Sequence, residues 1–141
     1  MRQNYGPRFH LLHCRVQQRI TNALAEMELT GQQGRVIGYI SRCPQPPCPR
    51  DIEQVFRLSH PTVSGLLNRL EKKSFLRLEP DPADKRCKRI FLLPKGEACC
   101  KLIDQTFAST EDQLTQGFSE EEQAQFTSLL DRAIANMKRE E

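Results

Sequence analysis

Six cysteines and three histidines carry most of the intrinsic reactivity of this 141-residue chain. The thiols are Cys14, Cys43, Cys48, Cys87, Cys99 and Cys100, and His10 and His13 stand just ahead of Cys14. A cation beside a thiol lowers its pKa and favours the oxidant-reactive thiolate, so Cys14 is a candidate redox residue. A metal site drawn from His10, His13 or Cys14 is an alternative reading, and an incidental thiol is the plain one. No two cysteines show C-x-x-C spacing, so no structural metal is expected. Cys43 and Cys48 bracket PQPP and are expected to be reduced. Cys99 falls in an apolar helical stripe, where a thiol serves as a small hydrophobe.

A second kind of chemistry is electrostatic. The stretch DPADKRCKRIFLLPKG, residues 81–96, holds Lys85, Arg86, Lys88, Arg89 and Lys95 around an apolar IFLL block. Net charge is only +3, but six basic against two acidic side chains over residues 1–49, twelve against seven over 50–101 and three against nine over 102–141 give +4, +5 and −6. A basic middle beside an acidic end suits a molecule that turns one face to a polyanion. Enzyme chemistry has little to stand on. There is no glycine-rich phosphate loop, no H-E-x-x-H and no G-x-S-x-G, and three histidines leave few general bases. No apolar run approaches the roughly 20 residues of a membrane span, and MRQNYGPRFHLLHC lacks a signal-peptide core, so a cytoplasmic protein without a membrane partner is expected.

The elements that must position these groups follow from periodicity. Phe9, Leu12, Val16, Ile20, Leu24 and Met27 recur every three or four residues and predict a first helix. A second starts at the N-cap Thr30, buries Val36, Ile37 and Ile40, and stops at PQPP. DIEQVFR makes barely two turns, with Ile52, Val55 and Phe56 on one side. After a tight turn, PTVSGLLNRLEKKS places Val63, Leu66, Leu67 and Leu70 on one face and Thr62, Ser64, Gly65, Asn68, Arg69 and Lys72 on the other. FLRLEP and CKRIFLLP flank the turn-forming DPADKR and read as a hairpin. Cys99, Leu102, Ile103, Phe107 and Leu114 mark a long helix. The SEEE capping box, Ser119 with Glu122, opens a last helix expected to bury Phe126, Leu129, Leu130, Ala133, Ile134 and Met137.

Helix, helix, short helix, tight turn, helix, hairpin and two further helices is the order of a winged helix-turn-helix with flanking dimerisation helices. The fold class is therefore mainly α (α+β). At 16.3 kDa the chain holds one ordinary core, so a single domain over residues 1–141 is expected, with the winged core at 30–100 and dimerisation helices at 8–28 and 95–139. A helix whose one face is packed and whose other face is polar fits the DNA major groove, and a cationic hairpin suits the neighbouring minor groove.

Residues 30–100 resemble the MarR family of bacterial transcription regulators. LSHPTVSGLLNRLEKKSFL is similar to its serine/threonine-rich recognition helix ending in Leu-Glu-Lys-Lys-Gly-Leu, and DPADKRCKRIFLLPKG to its wing, where Asp-x-Arg precedes a strand ending in Leu-Thr-x-x-Gly. The resemblance implies a homodimeric double-stranded-DNA-binding regulator that acts as a repressor on an inverted repeat. It also implies no cofactor and a small aromatic or phenolic effector bound between the DNA-binding lobe and the dimer helices. Ser59, His60, Thr62, Ser64 and Arg69 would lie at the DNA, with Asn68 beside them. Ser59 serves equally well as an N-cap, and Arg69 could be a solvated cation beside Glu71 and Glu79. Asp84 and Arg86 match the wing pair, the acid holding the arginine or a neighbouring cation. Lys85, Lys88 and Arg89 add general positive charge. Cys14 sits near where peroxide sensors of the family carry their reactive thiol, so a thiol- or metal-responsive sensor of the same fold is an alternative, as is a winged-helix module for protein or RNA. Four positions depart from the pattern: Ser74 and Arg57 stand in place of glycines, Glu53 in place of alanine, and Pro94 in place of threonine.

Overall fold

The computed structural model describes residues 2–138. Its elements are α1 (Tyr5–Glu26), α2 (Gly31–Arg42), α3 (Pro49–Phe56), α4 (His60–Lys72), β1 (Leu76–Pro80), β2 (Lys88–Leu92), α5 (Pro94–Leu114) and α6 (Glu120–Asn136). The predicted order is observed, and α1 begins four residues before Phe9. By contacts the chain divides into two units, one ending at Phe107 and the other starting at Ala108.

Local chemistry sets most helix starts. The Thr30 hydroxyl accepts from the Gln33 amide at 3.2 Å while the Gln33 side chain accepts from the Thr30 amide at 3.0 Å, so two amides that lack helical partners are satisfied together. Ser119 and Glu122 repeat the arrangement at α6. Pro49 and Pro94 occupy first turns, where a missing N–H costs nothing.

Three helices end unusually. Glu28, Arg57 and Ser74 follow α1, α3 and α4 with φ of 58°, 53° and 66°. That left-handed region favours glycine, because a Cβ crowds the backbone there. Ser74 nevertheless closes α4 fully. Its amide donates to Glu71 O, and the Phe75 amide donates to Leu70 O, both at 3.0 Å.

The core lies in the first unit. Leu24, Val36, Ile37, Ile40, Ile52, Val63, Leu66, Leu67, Leu70, Phe75, Leu76, Ile90 and Cys99 are buried around a central Phe75. Each such large side chain contributes about 1.5–3 kcal/mol. One expectation needs correction. Val55 is 53% exposed, because α3 packs through Ile52 with Phe56 half-buried, and this eight-residue helix has only that i, i+4 row against the core. In α6 none of Phe126, Leu129, Leu130, Ala133, Ile134 and Met137 is buried within the single chain, and Met137 is 83% exposed. Along α1, likewise, only Leu24 is buried. An apolar stripe shows that a face wants cover; it does not say which molecule supplies it.

The hairpin is antiparallel, with Leu76 opposite Leu92 and Pro80 opposite Lys88. Its outer strand is tied down as well: the Ile90 amide donates to Pro47 O at 2.9 Å, in the loop before α3. Gly96 lets α5 pass the strand entry, since a Cβ there would stand 2.2 Å from Phe75 O. In the second unit Phe118 packs edge-on against Phe126, with ring centroids 5.8 Å apart.

Candidate nucleic-acid interface

Burial of Val63, Leu66, Leu67 and Leu70 fixes the roll of α4. The opposite face follows from that: Thr62, Ser64, Asn68 and Arg69 are exposed, as are Ser59 and His60 at the start. Ser59 does serve as the N-cap. Its Oγ accepts from the Thr62 amide at 3.4 Å and lies 2.8 Å from the Thr62 hydroxyl, so the two hydroxyls hold each other at the helix entrance. His60 Nδ1 lies 2.6 Å from Glu53 Oε1, joining the first turn of α4 to α3. Arg69 is not held by the acids that sequence places near it. Glu71 accepts from the Leu78 amide at 2.8 Å, and Glu79 pairs with Arg77 at 2.8 Å.

The wing tip, residues 81–87, is organised by two aspartates. Asp84 Oδ1 accepts the Arg86 backbone amide at 3.0 Å and Asp84 Oδ2 lies 3.7 Å from the Cys87 thiol, an Asx turn that bends the tip. The expectation that Asp84 holds Arg86 or a neighbouring cation is therefore corrected: Asp84 holds the backbone amide of Arg86, not a cationic side chain. The acid that does hold an arginine is Asp81, whose Oδ1 accepts from the Ala83 amide and whose Oδ2 accepts from Arg89 Nε, both at 2.9 Å. Arg89 reaches further, donating to Pro46 O at 3.2 Å, so it is a fastener rather than a general cation. The Ala83 amide first and Arg89 second hold the Asp81 carboxyl below its ordinary pKa, while Asp81 pushes the Arg89 guanidinium up. Asp84 pushes the Cys87 thiol up, which favours its neutral form.

The cations thus fall into two groups. Arg89 is bound at the base of the wing, and Lys95 donates to Lys73 O at 3.0 Å while lying over the Phe75 ring. The side chains of Lys85 and Arg86 at the tip and of Arg69 on α4 have no hydrogen-bond or ion-pair partner among the described residues. Between helix and wing runs a groove of about 470 Å³ whose walls include His60, Ser64, Asn68, Arg86 and Lys88. The fold therefore brings residues predicted from two distant stretches of sequence to one surface. Sequence reasoning missed the Asp81–Arg89 clamp and the Glu53–His60 contact; the first needed the hairpin register, the second the crossing of α3 and α4.

The other candidate, Cys14, lies on α1 with its sulfur 3.6 Å from His10 Nε2, and it is exposed. Among the described residues no group of three or more His, Cys, Asp or Glu is placed to hold a metal ion, and no helix is long and apolar enough to cross a membrane.

A helix pair, a polar-faced second helix and a two-stranded wing define the winged helix-turn-helix class. The family model described as MarR family matches residues 27–86. A Clostridium acetobutylicum protein assigned to the MarR family of transcriptional regulators is similar in structure, with a TM-score of 0.82 at 30% identity over 94% of this chain and 98% of that one. A complex of Staphylococcus aureus MepR with DNA gives a TM-score of 0.82 at 27% identity, over 92% and 97% of the two chains. The Bacillus subtilis HTH-type transcriptional regulator YsmB is 33% identical over 81 residues, 55% of this chain and 53% of that protein. The chain spans about half the length of the curated relatives it matches. It belongs to the MarR family.

Proposed function

We propose that the protein is a homodimeric transcription repressor that binds an inverted-repeat operator in double-stranded DNA and leaves it when a small aromatic or phenolic ligand binds. The observation that carries this reading is the division of cations: the wing is fastened at its base by Arg89 and left with Lys85 and Arg86 unpaired at its tip, beside a helix whose free face is polar. A helix packed in that way fits the major groove, and a rigid cationic tip suits the minor groove and its phosphates. The likeness to the DNA complex of MepR supports the same reading.

Affinity is measured by titrating one labelled operator and one scrambled duplex at several salt concentrations. Arg86→Ala weakens binding to both and lowers the salt slope by about one per contact, about two per dimer. Thr62→Ala and Arg69→Ala cost about 1–3 kcal/mol per half-site, mainly on the operator. An unchanged affinity and slope in Arg86→Ala would remove the wing from the interface.

The ligand part of the reading is supported by a cavity of about 440 Å³ in the first unit, lined by Leu24, Arg35, Tyr39, Arg42 and Phe56 among others. Tyr39 meets Phe56 edge-on at 5.8 Å, and the Cys43 thiol, followed by burial, raises its phenol pKa. Aromatic walls with two guanidinium groups suit a small aromatic that carries an acidic oxygen. The 3.6 Å approach of Cys14 to His10 favours thiol sensing as a second reading. It requires that peroxide release DNA from the wild type and not from Cys14→Ser.

A further inference from the structure

Glu53 stands on α3, 2.6 Å from the first residue of α4, and belongs to neither the core nor the free face of α4. We infer that Glu53 is a positioning residue which fixes the tautomer of His60, so that His60 Nε2 meets DNA as a hydrogen-bond acceptor and selects a base bearing an exocyclic amine, adenine or cytosine, in the major groove. The inference rests on the DNA-binding reading above.

The steps are chemical. A carboxylate oxygen only accepts, so the short contact to Nδ1 requires the imidazole proton on Nδ1. In the neutral ring Nε2 is then bare. Covalent geometry puts Nε2 on the ring edge away from Glu53, and the side chain is 78% exposed while that of Glu53 is only 22% exposed. The acid is thus sheltered and the ring is offered. His60 also shares its groove with Ser64, Asn68 and Arg86, so a base reached by one is within the neighbourhood of the others. In the major groove adenine N6 and cytosine N4 are the amine donors, whereas guanine and thymine present acceptors to the same region. A bare Nε2 matches the first two and opposes the others. The opposite tautomer, which an unrestrained histidine favours, would reverse that preference.

Two substitutions separate the hydrogen bond from the charge. Glu53→Gln and Glu53→Ala both delete the same negative charge, which by itself strengthens binding to any duplex. Only glutamine retains an oxygen that accepts from Nδ1. Nitrogen-15 NMR of the DNA-free proteins at the pH of the binding selection should show the single ring proton on Nδ1 in the wild type and Glu53→Gln, and on Nε2 in Glu53→Ala. Selection from a randomised duplex pool should then give the wild type and Glu53→Gln a shared preference of about three- to tenfold for adenine or cytosine at one position per half-site. Glu53→Ala should lose it. A wild-type proton on Nε2, or one base preference common to all three proteins, overturns the inference. A wild type that selects no duplex at all defeats the DNA-binding reading instead, and the tautomer result identifies which of the two has failed.

Discussion

At the scale of single residues, the three left-handed helix ends are the clearest reserve of stability. A side chain in that region costs about 1–2 kcal/mol relative to an unstrained residue, so Ser74→Gly and Arg57→Gly should each raise unfolding stability by about 1 kcal/mol. Urea unfolding at one fixed protein concentration measures it. Gly96→Ala should act the other way, because its methyl would press on Phe75 O, which is backbone and cannot swing aside. Overpacking of this kind costs about 1–3 kcal/mol, more than the roughly 1 kcal/mol that alanine gains over glycine inside a helix. Burial pushes the Cys99 thiol up to about 11, so native Cys99 should resist alkylation at neutral pH while exposed Cys14 is modified; mass spectrometry of the labelled chain reads the pattern. Sequence revealed the glycine-to-serine and glycine-to-arginine departures but not their conformation. Positive φ is a backbone property that serine and arginine tolerate without announcing it.

At the scale of elements, the wing is held by a carboxylate and should therefore loosen in acid. Asp81 has a depressed pKa in the folded chain. Its contribution is fully present above about 4, the ordinary aspartate value, and fades as pH falls from there through the lower folded value. Fast amide exchange at Ala83, measured against the intrinsic rate at each pH, should set in over that range before it does in the core of α4. Arg89→Ala should show the fast exchange already at neutral pH. The recognition helix was readable in advance because four buried residues at i, i+3, i+4 and i+7 leave one orientation. The wing was readable as a hairpin but not in register. The family resemblance implied that Asp84 holds Arg86 or a neighbouring cation, while the folded turn made Asp81 the acid that binds a guanidinium, that of Arg89 across the hairpin.

At the scale of the whole molecule, the apolar side chains that the single chain leaves open are expected to meet a second copy. Tyr5 and Phe9 on α1 and Leu129, Ile134 and Met137 on α6 are all about half-exposed or more. Sedimentation should give twice the 16.3 kDa chain mass, and Leu129→Glu combined with Ile134→Glu should shift it toward the single-chain value. Sequence periodicity identified these faces, and their extent in so small a chain pointed to a second copy as their cover. The Ile90–Pro47 contact bears on solubility. A two-stranded sheet has two open edges, and each is a template on which a strand of another molecule can add. Along β2 the Ile90 amide is taken by Pro47, in a loop where three of the four residues between Cys43 and Cys48 are prolines with no N–H to continue a ladder. The β2 edge of the wing is therefore blunted against the addition of a strand from another molecule.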